Sequence, residues 1–324
     1  MDKKRLVIFD GNALIHRAYH ALPPLTTPKG ELVNAIYGFL LVFLRAIKEF
    51  KPKFIAVTFD FPAPSFRHQK YEQYKATRKK APDDLYSQIP GTKEILEKIG
   101  AKVFEKQGYE ADDIIATIAR NVSQDKGLKD LETIIVSGDL DTLQLVDGKT
   151  KVYALRKGVK DIILYDKKAV QEKYGGLVPK QLADFKALRG DPSDNIPGVF
   201  GIGEKTAIAL VKEFDSIEKL YSALEENRLP KSMNENLKKR LKEYKEKSFL
   251  SKDLAQLEYN VPVGFSLERC RWETPDKEIT SQVMGDYGFN SLIGRFEKDG
   301  SPVDREKKPK LKKVKEIKGN LQLW

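Results

Sequence analysis

Short β-branched and aromatic runs alternate with longer stretches of helical periodicity through the first half of the chain. RLVIFD, FIAVTFD, KVFEK, TIIVSGD, KVYAL and IILYD predict six strands. The helical patterns between them predict an α/β architecture around a mainly parallel sheet. From about Pro179 the strand signals stop, and short helical segments follow one another, separated by GDPSDNIPGVFGIG and by polar, lysine-rich turns. An α/β domain over residues 1–178 and an all-helical domain over residues 179–296 are therefore expected. The last amphipathic stretch runs from Val283 to Phe296; beyond it, residues 297–324 are too polar and charged to build a core and predict a disordered basic tail.

Charge narrows the partner. The 324 residues carry 58 Lys and Arg against 47 Asp and Glu, a net charge of +11, which favours a polyanion without separating nucleic acid from an acidic membrane. The N-terminal apolar run stops at Asp10, too soon for a signal peptide or a membrane span. A single cysteine, Cys270, excludes an intrachain disulfide framework and fits a reducing compartment. A soluble, monomeric, cytoplasmic protein with no membrane partner is expected. No Walker or dinucleotide loop is present, so neither nucleotide hydrolysis nor hydride transfer is indicated by those motifs.

Acidic residues supply the candidate chemistry. Asp10, Asp60 and Asp139 each close a strand signal, and Asp141 lies two residues beyond the last. Ends of parallel strands share one edge of a sheet, where open α/β folds bind their ligands. KVFEK leads into the helical pattern EADDIIATIA, whose first turn carries Glu110, Asp112 and Asp113, with Glu110 and Asp113 on one face. Any one of these aspartates could be a cap or turn residue. So many at one edge would repel one another, and a divalent cation relieves that repulsion. All-oxygen donors favour Mg²⁺ or Mn²⁺ over zinc, and His16, His20 and His68 make no zinc signature. Two such ions about 4 Å apart would suit in-line phosphodiester hydrolysis. Asp191 and Asp194 in GDPSDNIPG stand at the domain junction, followed by Gly198, Gly201 and Gly203 at the opening of a helix. Closely spaced glycines there present amides to an anion such as a DNA phosphate.

The segments FDGNALIHRAYHAL, TTPKGELVNAIYGF, FRHQKYEQYKATR, GYEADDIIATIA, SGDLDTLQLV and GDPSDNIPGVFGIGEKTA, taken together from about Leu6 to Phe296, resemble the 5′ nuclease (flap endonuclease) domain of bacterial DNA polymerase I and its stand-alone relatives. The resemblance implies a resolvase-like (PIN-like) nuclease domain, a helical arch around residues 62–95 and a helix-three-turn-helix domain that grips duplex DNA. It implies two Mg²⁺ ions, with Mn²⁺ able to substitute, held by Asp10, Asp60, Glu110, Asp112, Asp113, Asp139, Asp141, Asp191 and Asp194. It also implies a K⁺ ion on the glycine turn, and as substrates DNA with a 5′ flap or nick and RNA-DNA hybrid at primed ends. One departure is Leu140, where the family usually places lysine between the paired aspartates. With no polymerase segment after the tail, a separate DNA polymerase and ligase are expected to act alongside.

The arch segment SFRHQKYEQYKATRKKAP interleaves cations with tyrosines, which describes either a solvated basic face or a path for a single strand. The resemblance assigns Arg67, Tyr74, Lys75 and Arg78 to the scissile strand, with Lys75 and Arg78 stabilising charge on the phosphate in transfer. Lys205, opening the next helix, is expected on duplex phosphate. Three rivals weigh less. A haloacid-dehalogenase-type phosphatase needs an aspartate two residues after Asp10, where Asn12 stands; a small PIN-type ribonuclease would lack the arch and the glycine turn; a DNA-binding module that has lost catalysis would not need every acid intact. At the end of the tail, NLQLW is compatible with a chance apolar end on a polyanion-binding tail. It also resembles the pentapeptide by which bacterial replication proteins dock on the sliding clamp, with Leu321, Leu323 and Trp324 as anchors.

Overall fold

All six predicted strands form. In a computed structural model that describes residues 4–230 and 233–297, β1 (Lys4–Asp10), β2 (Phe54–Thr58), β3 (Lys102–Phe104), β4 (Leu131–Ser137), β5 (Thr150–Lys157) and β6 (Asp161–Tyr165) make one sheet in the order β3-β2-β1-β4-β5-β6. β1 to β5 are parallel, and β6 returns antiparallel to β5. Strands covered on both faces account for the continuous apolar runs. In β1, Val7 and Phe9 enter one core while Leu6 and Ile8 enter the other. Helices Gly11–Ala21, Asn34–Phe50 and Gln88–Lys98 cover the first face, and Ala111–Gln124 covers the second.

Strand order positions the site. The chain moves outward from β1 to β2 and β3, then returns to the other side of β1 as β4. Connections therefore leave β1 and β4 in opposite directions, and a crevice opens at their carboxyl ends. Asp10 ends β1 there, and Asp139 follows β4. Gly11 permits a tight entry to the first helix, since a Cβ at this position would meet the Phe59 ring at 2.5 Å.

Helices Leu182–Arg189, Glu204–Phe214, Ile217–Glu225, Glu235–Glu243 and Lys245–Ala255 pack around a separate core that includes Leu188, Leu210, Leu220 and Leu241. The segment after them does not join that core. Leu257, Val261 and Cys270 pack on the sheet face covered by Ala111–Gln124, and Trp272 N donates to Lys53 O at 2.9 Å. Val283, Met284, Phe289 and Leu292 pack on the opposite face. Within residues 179–296, then, apolar residues serve more than one core, since periodicity marks an apolar face, not what covers it.

The 62–95 segment is not one continuous helix. Phe66–Lys70 has five residues, turns occupy residues 72–77, and helix resumes at Asp83–Tyr86 and Gln88–Lys98. Among the described residues no helix is long and apolar enough to cross a membrane. Leu321, Leu323 and Trp324 lie outside the described residues.

Candidate active site

Asp10, Asp60, Glu110, Asp112 and Asp139 line one cleft of about 450 Å³, with Lys75, Arg78, His16, Arg17 and His20 on its walls. The strand ends build its floor. Asp10 caps the following helix, its Oδ1 accepting from Ala13 N at 3.1 Å, and its Oδ2 accepts from Ser137 Oγ at 2.6 Å. Ser137 Oγ in turn accepts from Asp139 N at 2.9 Å, so β4 holds both acids through one hydroxyl. Burial pushes the Asp10 carboxyl up to about 7, against these hydrogen bonds, with Asp139 and Asp60 adding repulsion. Asp60 exchanges hydrogen bonds with Asn12 at 2.8 and 3.1 Å and accepts from Ala111 N at 2.7 Å. Asn12, which argued against phosphatase chemistry, thus ties the ends of β1 and β2 together.

The fourth wall is the start of helix Ala111–Gln124. Glu110 stands at its N-cap, and its side chain collects cations and hydroxyls: Lys75 Nζ at 2.9 Å, Tyr74 Oη at 3.1 Å, Ser65 Oγ at 3.2 Å and an Arg67 nitrogen at 3.4 Å. Burial opposes its ionisation, but Lys75 and Arg67 prevail and hold Glu110 below the ordinary carboxylate range. Asp112 is the opposite case. Its Oδ1 is buried with no hydrogen-bond partner among the described residues, and burial, then repulsion from Asp113, drives its pKa well above the usual value. Asp113, one residue on, faces away from the cleft. It is fully buried, receives two bonds from Arg67 at 2.7 and 2.8 Å, and accepts from Glu110 N and Glu258 N. Both oxygens are engaged in this way, which places Asp113 in a buried ion pair away from the acids that line the cleft.

Arg67 is buried with it. Only 1% exposed, it also donates from Nε to Leu254 O and from the guanidinium to Gln256 O, each at 2.9 Å. It anchors the arch to the chain segment leaving the helical domain. Tyr74 is also buried, bonded to Glu110 and, at 3.3 Å, to Asp194. Lys75 adopts a left-handed backbone, φ 57°, unusual for a side chain of this size. Its N–H donates to Asp194 O at 2.9 Å while its ammonium turns to Glu110. Arg78 pairs with the Asp194 carboxylate and donates to Ser193 O at 3.1 Å.

Asp141, Asp191 and Asp194 do not line the cleft described above. Asp141 and Asp191 meet instead at Lys186, which pairs with Asp141 and lies 2.6 Å from Asp191. Burial and Asp139 push Asp141 up to about 6, whereas Asp191, despite burial, is held at about 2 by Lys186. Lys186 escaped the sequence reading because it sits in an ordinary amphipathic helix, Leu182–Arg189. The available signal was its place five residues before Asp191. Leu140, in the usual lysine position, packs on the core, and the cation beside Asp141 comes from Lys186 instead.

In the glycine turn, Gly198 is buried and donates its amide to Ser251 Oγ at 2.9 Å. A Cβ there would lie 2.3 Å from Gly190 N. The absence of a side chain at Gly198 thus permits close backbone packing against Gly190. Gly201, Gly203 and Lys205 are exposed.

Among the described residues no three acids are already arranged as a ligand set; ammonium and guanidinium groups stand between them. The donor chemistry nevertheless fits a hard divalent cation: all-oxygen ligands, an unpartnered buried carboxylate oxygen on Asp112, and an Asp10 whose carboxyl burial pushes up to about 7, so that a nearby cation would favour its ionised form.

Residues 5–175 match the 5′-3′ exonuclease, N-terminal resolvase-like domain, and residues 177–278 match the 5′-3′ exonuclease, C-terminal SAM fold. DNA polymerase I of Bacillus subtilis (strain 168) is 39% identical over 305 residues, covering 94% of this chain and 34% of that protein. The chain thus spans about a third of the length of the curated relatives it matches. Among solved structures, T5 5′-exonuclease with divalent metal ions (zinc) bound is similar with a TM-score of 0.64 at 20% identity, over 90% of this chain and 97% of that one. A pseudo-enzyme-product complex of the T5 flap endonuclease with DNA and metal ions gives 0.63 at 20% identity, over 91% and 100%.

Proposed function

The chain belongs to the 5′-3′ exonuclease family, and from that membership and the cleft we propose that it is a divalent-metal-dependent nuclease hydrolysing DNA phosphodiesters at or near 5′ ends and 5′ flaps, RNA-primed ends included. The observation that carries this is the convergence of Asp10, Asp60, Glu110, Asp112 and Asp139 on one cleft that Lys75 and Arg78 also line. Those five acids would hold Mg²⁺, or Mn²⁺ in its place, with Asp141, Asp191 and Asp194 completing a two-ion set. When bound, the ions supply Lewis-acid stabilisation of phosphate oxygens and a more acidic water. The protein's own part is to orient and to neutralise: Ser137 fixes Asp10 against Asp139, Asn12 fixes Asp60, and Lys75 and Arg78 bring positive charge to the wall facing the acids.

Incubating a 5′-labelled flap, a nicked duplex and an RNA-primed nick with Mg²⁺ or EDTA tests this function. Release of 5′ fragments only with Mg²⁺ is expected; cutting in EDTA, or from 3′ ends alone, contradicts it. Lys75→Ala with Arg78→Ala is expected to slow turnover at saturating DNA by roughly a hundredfold or more, the scale of removing charge stabilisation from a transition state. A change confined to affinity would make the arch a docking surface.

Metal and pH are linked with a definite sign. A carboxyl raised to about 7 in the folded protein, as burial does to Asp10, binds more protons folded than unfolded between pH ~4 and ~7. Metal-free stability should therefore fall as pH rises through that window, by up to about 4 kcal/mol from Asp10 alone. Asp141, raised to about 6, acts in the same direction. A divalent cation removes the penalty, so stabilisation by Mg²⁺ over EDTA, read as a urea midpoint, should be larger at pH 8 than at pH 5. Equal stabilisation at both would separate the metal from these acids.

Three further parts of the proposal rest on the family resemblance and the sequence: a K⁺ ion on the glycine turn, a cytoplasmic monomer, and clamp docking through Leu321, Leu323 and Trp324. Titrating a peptide of residues 315–324 into a bacterial sliding clamp tests the last, and binding that survives Leu323→Ala with Trp324→Ala would eliminate it.

A further inference from the structure

Lys186 lies within reach of two carboxylates that the fold brings from different domains. Its ammonium pairs with Asp141, which follows β4, and lies 2.6 Å from Asp191 Oδ2, just beyond helix Leu182–Arg189. All three side chains are mostly covered, with 14% of Lys186, 18% of Asp141 and 14% of Asp191 exposed. A surface ion pair would mean little, because water and salt screen it. Carboxylates taken out of water need positive charge beside them. Among the described residues Asp141 and Asp191 form ion pairs with Lys186 alone.

One ammonium does not finish that task. Two carboxylates and a single lysine still sum to a negative charge, and Asp139, whose Oδ1 accepts from Asp141 N at 2.9 Å, adds another close by. A divalent ion in the ammonium's place would cancel both carboxylates. The surroundings permit the swap. Ala187 and Leu188 are buried in the helical core, so the backbone carrying Lys186 is fixed, while its four-carbon stem is flexible and can swing the charged head aside. Asp191 Oδ1 accepts from Ser193 N at 2.9 Å and from Ser193 Oγ at 2.6 Å, so this carboxylate keeps its orientation when the ammonium leaves Oδ2. The arch cations are engaged elsewhere, Lys75 with Glu110 and Arg78 with Asp194.

We propose that Lys186 is a resident counter-ion: its ammonium holds Asp141 and Asp191 together in the metal-free protein, and the divalent ion shared by these two acids binds in exchange for it. The inference rests on the two-ion reading above and adds an order to it. An ion among Asp10, Asp60, Glu110, Asp112 and Asp139 does not compete with Lys186, whereas the second must displace it, so the second binds more weakly. Until then the lysine ties the α/β domain to the helical domain. A lysine that merely positioned the two acids would leave the opposite signature, since its removal would weaken the second ion.

The test is Mn²⁺ titration followed by electron paramagnetic resonance at neutral pH, without DNA, on the wild-type chain and on Lys186→Met. Wild type should show a tighter and a weaker ion, and Lys186→Met should tighten the weaker one at least about tenfold while leaving the tighter one as it was. The thermal midpoint of the variant in EDTA should fall below wild type, because two covered carboxylates have lost their partner, and saturating Mn²⁺ should restore it. Should Lys186→Met not fold in EDTA, Lys186→Gln, neutral but still a hydrogen-bond donor, is titrated with the same expectation. A weaker ion that the substitution leaves unaltered, or that neither chain binds, overturns the exchange; one that binds still more weakly makes Lys186 a positioning residue instead. These results leave the tighter ion in place and defeat this proposal alone, whereas a wild-type chain that binds no Mn²⁺ defeats the metal reading and the exchange together.

Discussion

Asp139→Asn is expected to lower the rate of 5′-flap cleavage about a thousandfold, the effect of losing about 4 kcal/mol of stabilisation at the reacting centre. The substitution is conservative for the fold. Asp139 Oδ1 accepts from Asp141 N at 2.9 Å, and an asparagine carbonyl can keep that bond. Its own N–H still donates to Ser137, so the link to Asp10 is untouched. What disappears is one negative charge in the cleft. Urea midpoint and flap affinity in EDTA should therefore stay close to wild type while single-turnover cleavage collapses. Cleavage near the wild-type rate would remove Asp139 from the reacting centre.

Arg67→Met should produce the opposite pattern, a large loss of stability. It strips the fully buried Asp113 of its two-bond partner and leaves an uncompensated charge, a change that costs about 3–5 kcal/mol. Two carbonyls, of Leu254 and Gln256, lose their donors as well. The expected fall in thermal midpoint is roughly 10 °C. Adding Asp113→Asn should restore part of it, because the stranded charge is then gone. Should Arg67→Met fold as stably as wild type but bind DNA with a salt slope reduced by about one, Arg67 would be a phosphate contact after all.

These two residues mark where the chain's sequence was readable and where it was not. Strand ends at Asp10, Asp60 and Asp139 were legible because a β-branched run and its terminal acid are local features, and parallel topology then brings them to one edge. Glu110 and Asp112 were legible as the first turn of a periodic helix. The fate of Asp113 was not, because the side of the helix that faces the cleft is decided by Arg67, 46 positions away. Lys186 was hidden for the same reason: the carboxylates it joins, Asp141 and Asp191, come from different domains. The segment from Leu257 to Phe296 looked like more helical domain, yet its apolar residues complete both faces of the sheet. Local pattern specifies an element and its apolar face, while long-range partners select what that face covers.

The proposed chemistry requires the cleft carboxylates to act together on divalent metal. Counting bound Mn²⁺ by electron paramagnetic resonance at neutral pH, in the wild-type chain and in Asp112→Asn, tests it most directly, since Asp112 carries the buried oxygen without a partner. Two ions per wild-type chain, competed by Mg²⁺ and reduced in number or weakened at least tenfold in the variant, are expected. Absence of stoichiometric Mn²⁺ binding, or binding that Asp112→Asn leaves unaltered, would contradict it.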